Sequence, residues 1–142
     1  KFHIPIRIPS KKNCMQIHKA GTRRLISPSR EVKEAQTIVA WMATQALTEC
    51  LRGPIALVVE VSGRMDIDNS LGVIFDGLQI SGKILNDRQI QATAVMKKEG
   101  KLGCDLVVIR VDEGESPIEC LTHILNQIYV IALPARRAID FL

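Results

Sequence analysis

The sequence has few aromatic residues and no closely spaced pair of cysteines. Only 4% of its 142 residues are Phe, Trp or Tyr, so it does not predict an aromatic platform for stacking nucleic-acid bases. Its four cysteines include no Cys-x-x-Cys pair, which argues against a zinc site or a disulfide framework and favours reduced thiols. It also lacks a secretory signal and any apolar run of membrane-spanning length. We therefore expect a cytoplasmic protein that has no membrane partner.

Acidic residues are absent from residues 1–30, although this segment carries eight Lys or Arg residues. Such a basic segment favours a polyanionic partner, with nucleic acid as the first choice and an anionic membrane surface as the second. Because aromatic residues are scarce, we expect recognition of the nucleic-acid backbone and shape. The candidate DNA-binding residues are Lys11, Lys12, Lys19, Arg23 and Arg24.

The length and the hydrophobic periodicity predict one domain over residues 1–142. The predicted strands are 2–9, 55–62, 89–98 and 104–112, and the predicted helices are 30–52, 69–82 and about 117–132. Residues 10–29 are predicted to be a basic loop, and residues 100–103 the turn of a β-hairpin. This order indicates an α/β (α+β) domain, in which a small mixed sheet of about four strands packs with two to three helices.

Three aspartates surround the second predicted helix. Asp66 and Asp68 follow a buried strand at the helix N-terminus, and Asp87 returns after the helix ends. Three carboxylates brought together repel one another unless they hold a hard cation, and Mg²⁺ prefers one or two carboxylates with water and phosphate oxygens. The alternative is an N-capping aspartate with solvated neighbours. A calcium loop is excluded, because Leu71 stands where that loop requires glycine and Gly77 where it requires glutamate.

Three short motifs follow one another between residues 66 and 87. They are Asp66-Ile67-Asp68-Asn69, Phe75-Asp76-Gly77-Leu78 and Asn86-Asp87. In order and spacing they resemble the RusA family of Holliday junction resolvases, whose members carry Asp-x-Asp-Asn, Phe-Asp-Ala-Leu and an acidic pair. The Pro-punctuated first strand and the basic loop after it are similar too. The resemblance covers roughly residues 2–112, and residues 116–142 lie outside it.

The resemblance implies a homodimeric crossover junction endodeoxyribonuclease of DNA recombination and repair. Such an enzyme cleaves two strands of a four-way DNA junction with Mg²⁺, or with Mn²⁺ in its place. The resemblance also implies that Asp66, Asp68 and Asp87 are catalytic and bind the metal. Asn69 would support these acids through a hydrogen bond, and Asp76 would orient Lys83 or a metal-bound water; the alternative for Asp76 is a surface acid of the helix.

The chain departs from the family pattern at Gly72. The family's catalytic lysine would stand at this position, four residues after Asp68, and Lys83 is the candidate replacement. The departure leaves open a second interpretation, a junction-binding or DNA-binding protein of the same fold with weak or lost catalysis. A third is another Mg²⁺-dependent phosphotransfer or nuclease activity, acting on flaps or RNA.

Overall fold

A computed structural model describes residues 1–12, 15–65 and 67–130 of the protein. Within this part the chain forms three α-helices, six strands and one short 3₁₀ helix at Asp87–Gln89. The helices are α1 (Arg30–Ala46), α2 (Ile67–Ile80) and α3 (Pro117–Val130). The strands are β1 (Phe2–Ile4), β2 (Met15–Ala20), β3 (Arg23–Pro28), β4 (Ile55–Ser62), β5 (Ile90–Lys98) and β6 (Gly103–Arg110). The predicted α+β class is confirmed.

The main sheet has the strand order β1-β6-β4-β5, with β4 parallel to β5 and antiparallel to β6. All eight residues of β4 are buried, as its nearly continuous apolar sequence predicts for a central strand. Every second residue of β4, which includes Leu57 and Val59, faces a core shared with α1 and α2. Because side chains alternate along a strand, Ala56 and Val58 face the other side, and α3 packs against β4 and β5.

The predicted hairpin at residues 100–103 is wrong, because β4 lies between β5 and β6. Neighbouring strands are about 4.8 Å apart, so strands on either side of a third are about 10 Å apart, which residues 99–102 can span. Leu102 crosses the end of β4, where its Cδ1 lies 3.0 Å from the position of a Cβ added to Gly63. Burial of the apolar β4 between two partners therefore outweighs the local turn signal.

A second hairpin occupies the segment that the sequence predicts as a basic loop, so that prediction is wrong. β2 and β3 form a separate two-stranded sheet in which Ile17 pairs with Ile26. The turn uses Gly21 at a φ of +62°, a conformation that glycine adopts at little cost. Apolar residues of this hairpin, including both isoleucines, remain exposed. Periodicity missed the hairpin because that method detects strands through a buried face.

Helix α1 ends at Ala46, six residues before its predicted end. Leu47 is already extended, and Leu51 forms a parallel bridge with Ile84, donating its N–H to the carbonyl of Lys83 at 2.8 Å. The chain therefore leaves the helix early so that residues before β4 can pair with the segment before β5.

Candidate functional site

The N-terminus of α2 follows the end of β4 and is held by the segment that follows β1. The Ile8 N–H donates to Met65 Sδ at 3.2 Å, and its carbonyl accepts from Ser70 Oγ at 3.2 Å. The Lys11 N–H donates to the carbonyl of Asn69 at 3.2 Å. Ile8 is 1% exposed, so apolar burial reinforces these bonds. The basic segment is thereby fixed against the start of the helix.

Asp68 lies in the first turn of α2 and is exposed. A carboxylate at this end of a helix is stabilised by the partial positive charge of the helix dipole. Asp68 also lines a cavity of about 320 Å³ together with Lys11, Lys12, Met15, Asn69 and Gly72. This cavity, here called the α2 cavity, brings a carboxylate and two lysines from different segments to one surface.

Asp76 lies two turns further along α2 and accepts two hydrogen bonds on one oxygen. Lys11 Nζ donates to Asp76 Oδ2 at 2.6 Å, and Gln36 Nε2 donates to the same atom at 2.7 Å. Gln36 comes from α1 and is 8% exposed. The Lys11 and Asp76 side chains are 38% and 34% exposed, so their ion pair lies at the border between the interior and the solvent.

Sequence reasoning missed Gln36 and did not assign Lys11 to an ion pair. A signal for Gln36 was present, since it lies four residues from both Val32 and Ala40 on the apolar stripe of α1. A polar side chain on a buried stripe almost always has a hydrogen-bond partner. The contact between Lys11 and Asp76 joins residues 65 positions apart, and no local pattern reports such a pairing.

Asp87 and Lys83 lie at the other end of α2. Asp87 belongs to the 3₁₀ helix that leads into β5, whose first residue, Ile90, pairs with Ile55 at the start of β4. Asp68 follows the opposite end of β4. Because α2 has 14 residues at 1.5 Å each, it separates its two ends by about 20 Å. One chain therefore does not bring Asp68 together with Asp87 or Lys83.

The third predicted acid, Asp66, lies outside the described residues. Among residues 1–12, 15–65 and 67–130, no group of three His, Cys, Asp or Glu side chains is placed to hold a metal ion. The metal-binding roles of Asp66, Asp68 and Asp87 therefore stay predictions. The described cavity supplies one of these three acids, Asp68.

The remaining candidate DNA-binding residues lie at the tip of the β2–β3 hairpin. Lys19 pairs across the ladder with Arg24, and Arg23 adjoins the turn. All three are exposed, and we call them the hairpin-tip cations. Since the hairpin begins shortly after Lys12, the five predicted cations form one segment of chain that starts in the α2 cavity and ends at the tip.

A second charged group lies on the α3 side of the sheet. Lys98 Nζ donates to Asp105 Oδ2 at 2.6 Å, and His3 Nδ1 lies 2.8 Å from Asp105 Oδ1. Burial raises the pKa of Asp105, but the hydrogen bonds from Lys98 and His3 outweigh burial and hold that pKa below its usual value. The neighbouring Cys104 faces the core, where burial raises the pKa of its thiol to about 12.

Neither a scan against models of protein families nor a search of curated proteins finds a match to this sequence. Within the part of the chain that the structure describes, no helix is both long enough and apolar enough to cross a bilayer.

Proposed function

We propose that this protein is a Mg²⁺-dependent endodeoxyribonuclease that resolves four-way DNA junctions as a homodimer. The observation that carries the proposal is the α2 cavity, whose lining includes Asp68 together with Lys11 and Lys12. Lysine ammonium groups bind phosphate, and a carboxylate binds Mg²⁺. A carboxylate-bound metal can activate the water that hydrolyses a phosphodiester, and lysines on the same surface can hold the DNA backbone. The resemblance of the three acidic motifs to the RusA family supports the same reaction.

The donors in the α2 cavity fit a magnesium ion in part. Mg²⁺ is commonly held by one or two carboxylates together with waters and phosphate oxygens, and Asp68 supplies one carboxylate. Bound there, the ion would activate a water and stabilise charge on the phosphate. The lysines would hold the DNA backbone against the cavity.

The proposed dimer gives Asp87 a way to take part. Since Asp68 and Asp87 lie at opposite ends of α2, a helix about 20 Å long, a metal site that uses both needs Asp87 from a second copy. Two-fold symmetry would then create two equivalent sites, as paired cleavage of a junction requires. Mixing Asp68→Asn and Asp87→Asn proteins tests this arrangement, because a mixed dimer would contain one intact site and recover single-strand nicking.

The main experiment measures cleavage of a labelled four-way junction with Mg²⁺ and with EDTA. We expect Mg²⁺-dependent cleavage by the wild type. Asp68→Asn is expected to abolish cleavage and to keep junction affinity within a few-fold, because the basic segment holds the DNA. Asp112→Asn, an exposed aspartate beyond β6, is the matched control and should cleave as the wild type does. Normal turnover by Asp68→Asn would refute the assignment of the site.

A second candidate function is junction binding with weak or lost catalysis. Gly72 at the position of the family's lysine favours it, as does the distance between Asp68 and Asp87 in one chain. Binding without nicking in Mg²⁺ and in Mn²⁺ would establish this function. Flap, duplex, single-stranded DNA and RNA substrates in the same assay would detect the third activity, a nuclease for other structures.

A further inference from the structure

One face of the β2–β3 hairpin exposes apolar side chains to the solvent. Residues that pair directly across an antiparallel ladder point to the same side, so the pairs Met15–Pro28 and Ile17–Ile26 lie on one face. Ile17 and Ile26 are 67% and 66% exposed. A two-stranded hairpin by itself is only marginally stable in water, and contact with a partner would bury these side chains. We call the surface formed by these four residues the isoleucine face.

A pair of cations lies at the outer end of the isoleucine face. The next pair towards the turn on the same side is Lys19 with Arg24, and both residues are exposed. At about 3.4 Å per residue, this pair lies about 7 Å beyond the two isoleucines. The opposite face of the hairpin is more polar, since His18 Nε2 lies 2.9 Å from Ser27 Oγ there, and Leu25 is its exposed apolar residue. Apolar and cationic groups therefore share one side of the hairpin.

The charge of the segment selects the kind of partner that can cover the isoleucine face. Residues 1–30 carry eight Lys or Arg residues and no acid, so stacking two copies of this segment would bring only like charges together. The face suits a partner that is anionic at its edge and apolar inside, as DNA is with its phosphates and its base planes. An anionic membrane shares this chemistry. DNA is favoured because Met15 also lines the α2 cavity, where the proposed function places a phosphodiester.

We propose that the hairpin packs Ile17 and Ile26 against unstacked bases at the branch point of a DNA junction, while Lys19 and Arg24 hold neighbouring phosphates. The inference rests on the proposed function for its DNA partner and adds the part of the junction that is contacted. Isoleucine is one of the apolar residues that separate base steps in proteins that kink DNA. Unstacking costs least where bases are already unpaired, so the isoleucine face selects branch points over intact duplex. A two-stranded ribbon also fits a groove of DNA.

The first test measures dissociation constants in EDTA, which keeps the DNA uncut, for a four-way junction and for a linear duplex of the same sequence. The double variant Ile17→Thr/Ile26→Thr keeps β-branched side chains, which favour strands, and removes apolar atoms. It should lose at least about tenfold in junction affinity and change duplex affinity by only a few-fold. Leu25→Thr, on the opposite face of the same hairpin and 53% exposed in the wild type, is the matched control. It should bind both DNAs as the wild type does.

Two further measurements separate an apolar contact from a loss of charge. The fluorescence of 2-aminopurine placed beside the branch point increases when the base unstacks. Wild type and Leu25→Thr should raise this fluorescence, and the double variant should not. The double variant should also keep the slope of log affinity against log salt, because that slope counts neutralised phosphates. Thermal melting of each variant shows whether the protein is folded.

The possible results separate this inference from the nuclease function. Equal junction affinity in the wild type and the double variant, or an equal loss in Leu25→Thr, would refute the contact. Isoleucine-dependent binding to vesicles of phosphatidylcholine and phosphatidylserine, without a preference for junctions, would assign the face to a membrane. An isoleucine-dependent change in oligomeric state without DNA would assign it to a second copy, and both results would overturn the proposal. Isoleucine-dependent junction binding without cleavage in Mg²⁺ would support the contact and refute the nuclease, whereas cleavage with unaltered binding by the double variant would do the reverse.

Discussion

Gly77 lets α2 approach α1 closely, so Gly77→Ala tests how the two helices pack. A Cβ at this position would lie 2.5 Å from Val39 Cβ, 2.6 Å from Val39 Cγ1 and 3.0 Å from the carbonyl oxygen of Gln36. Ordinary carbon–carbon contacts lie at about 3.5–4.0 Å. The added methyl group would therefore push the α1 backbone away by about 1 Å, because rotation of one side chain cannot relieve the overlap.

The expected change in the free energy of unfolding combines two opposing effects. Alanine in a helix interior is favoured over glycine by about 1 kcal/mol, whereas overpacking a buried contact costs about 1–3 kcal/mol. We expect Gly77→Ala to lower the free energy of unfolding by up to about 2 kcal/mol after the helix gain. Gly72→Ala, in the same helix, meets only a flexible lysine stem at 3.4 Å. This matched control should leave stability unchanged or raise it.

Urea unfolding at one fixed protein concentration gives the free energy of unfolding for each variant. Val39→Ala removes two buried methyl groups and should cost about 2 kcal/mol by itself. The double variant should lose less than the sum of the single losses, because the methyl of Ala at position 77 fills the space that Val39 vacates. Stabilisation by Gly77→Ala equal to that by Gly72→Ala, or strict additivity with Val39→Ala, would refute this close approach.

Asp105 and Cys104 of β6, and the β2–β3 hairpin, give three further predictions. The pKa of Asp105 is lowered from 3.8, so its ionised form stabilises the fold above pH 3.8 and this stabilisation is lost in acid. The difference in unfolding free energy between the wild type and Asp105→Asn should therefore shrink below pH 3.8, and a constant difference would contradict this. At mildly alkaline pH iodoacetamide should modify the exposed Cys50 and spare Cys104, which is 0% exposed and has a thiol pKa of about 12. Equal labelling of the two cysteines on peptide mapping would show that the core opens. Changing the hairpin-tip cations to glutamine should flatten the salt dependence of junction binding, by about 0.9 in logarithmic slope for each phosphate that the variant no longer neutralises, and an unchanged slope would exclude the hairpin as a DNA-binding surface.

The sequence predicts the helices and strands that bury an apolar face. It does not predict which strands are neighbours, because that depends on contacts between distant parts of the chain. Strand 55–62 and the start of the helix at Arg30 agree with the structure, because a continuous apolar run and a Ser29 cap are local signals. The Ser29 side chain accepts from the Val32 N–H at 3.3 Å, as a helix cap does. The neighbour of β5, by contrast, is β4 and not β6, since long-range burial selects the pairing.

The candidate site shows the same division. The position of Asp68 after a buried strand and at the start of a helix follows from its local sequence. That Asp87 lies at the far end of α2 follows from the parallel register of β4 and β5, which places the residues before β5 beside the start of β4. Lys83, the candidate replacement for the family's lysine, lies at that far end for the same reason. Lys11 comes to lie beside Gly72 only through the tertiary fold.

Helix α2 links the packing of the core to the geometry of the candidate site. Gly77 sets the approach of α1, and Gln36, whose carbonyl lies closest to Gly77 on the α1 backbone, donates through its side chain to Asp76. A displacement of α1 by about 1 Å would lengthen that 2.7 Å bond beyond hydrogen-bonding range and release Asp76, and with it the ammonium group of Lys11. Gly77→Ala should therefore weaken junction binding even under conditions where the variant is fully folded, because the basic segment loses an anchor on α2. Val39→Ala should recover the affinity in that background because it makes room for the added methyl group. A wild-type junction affinity in folded Gly77→Ala would show that Gln36 does not help to hold this segment.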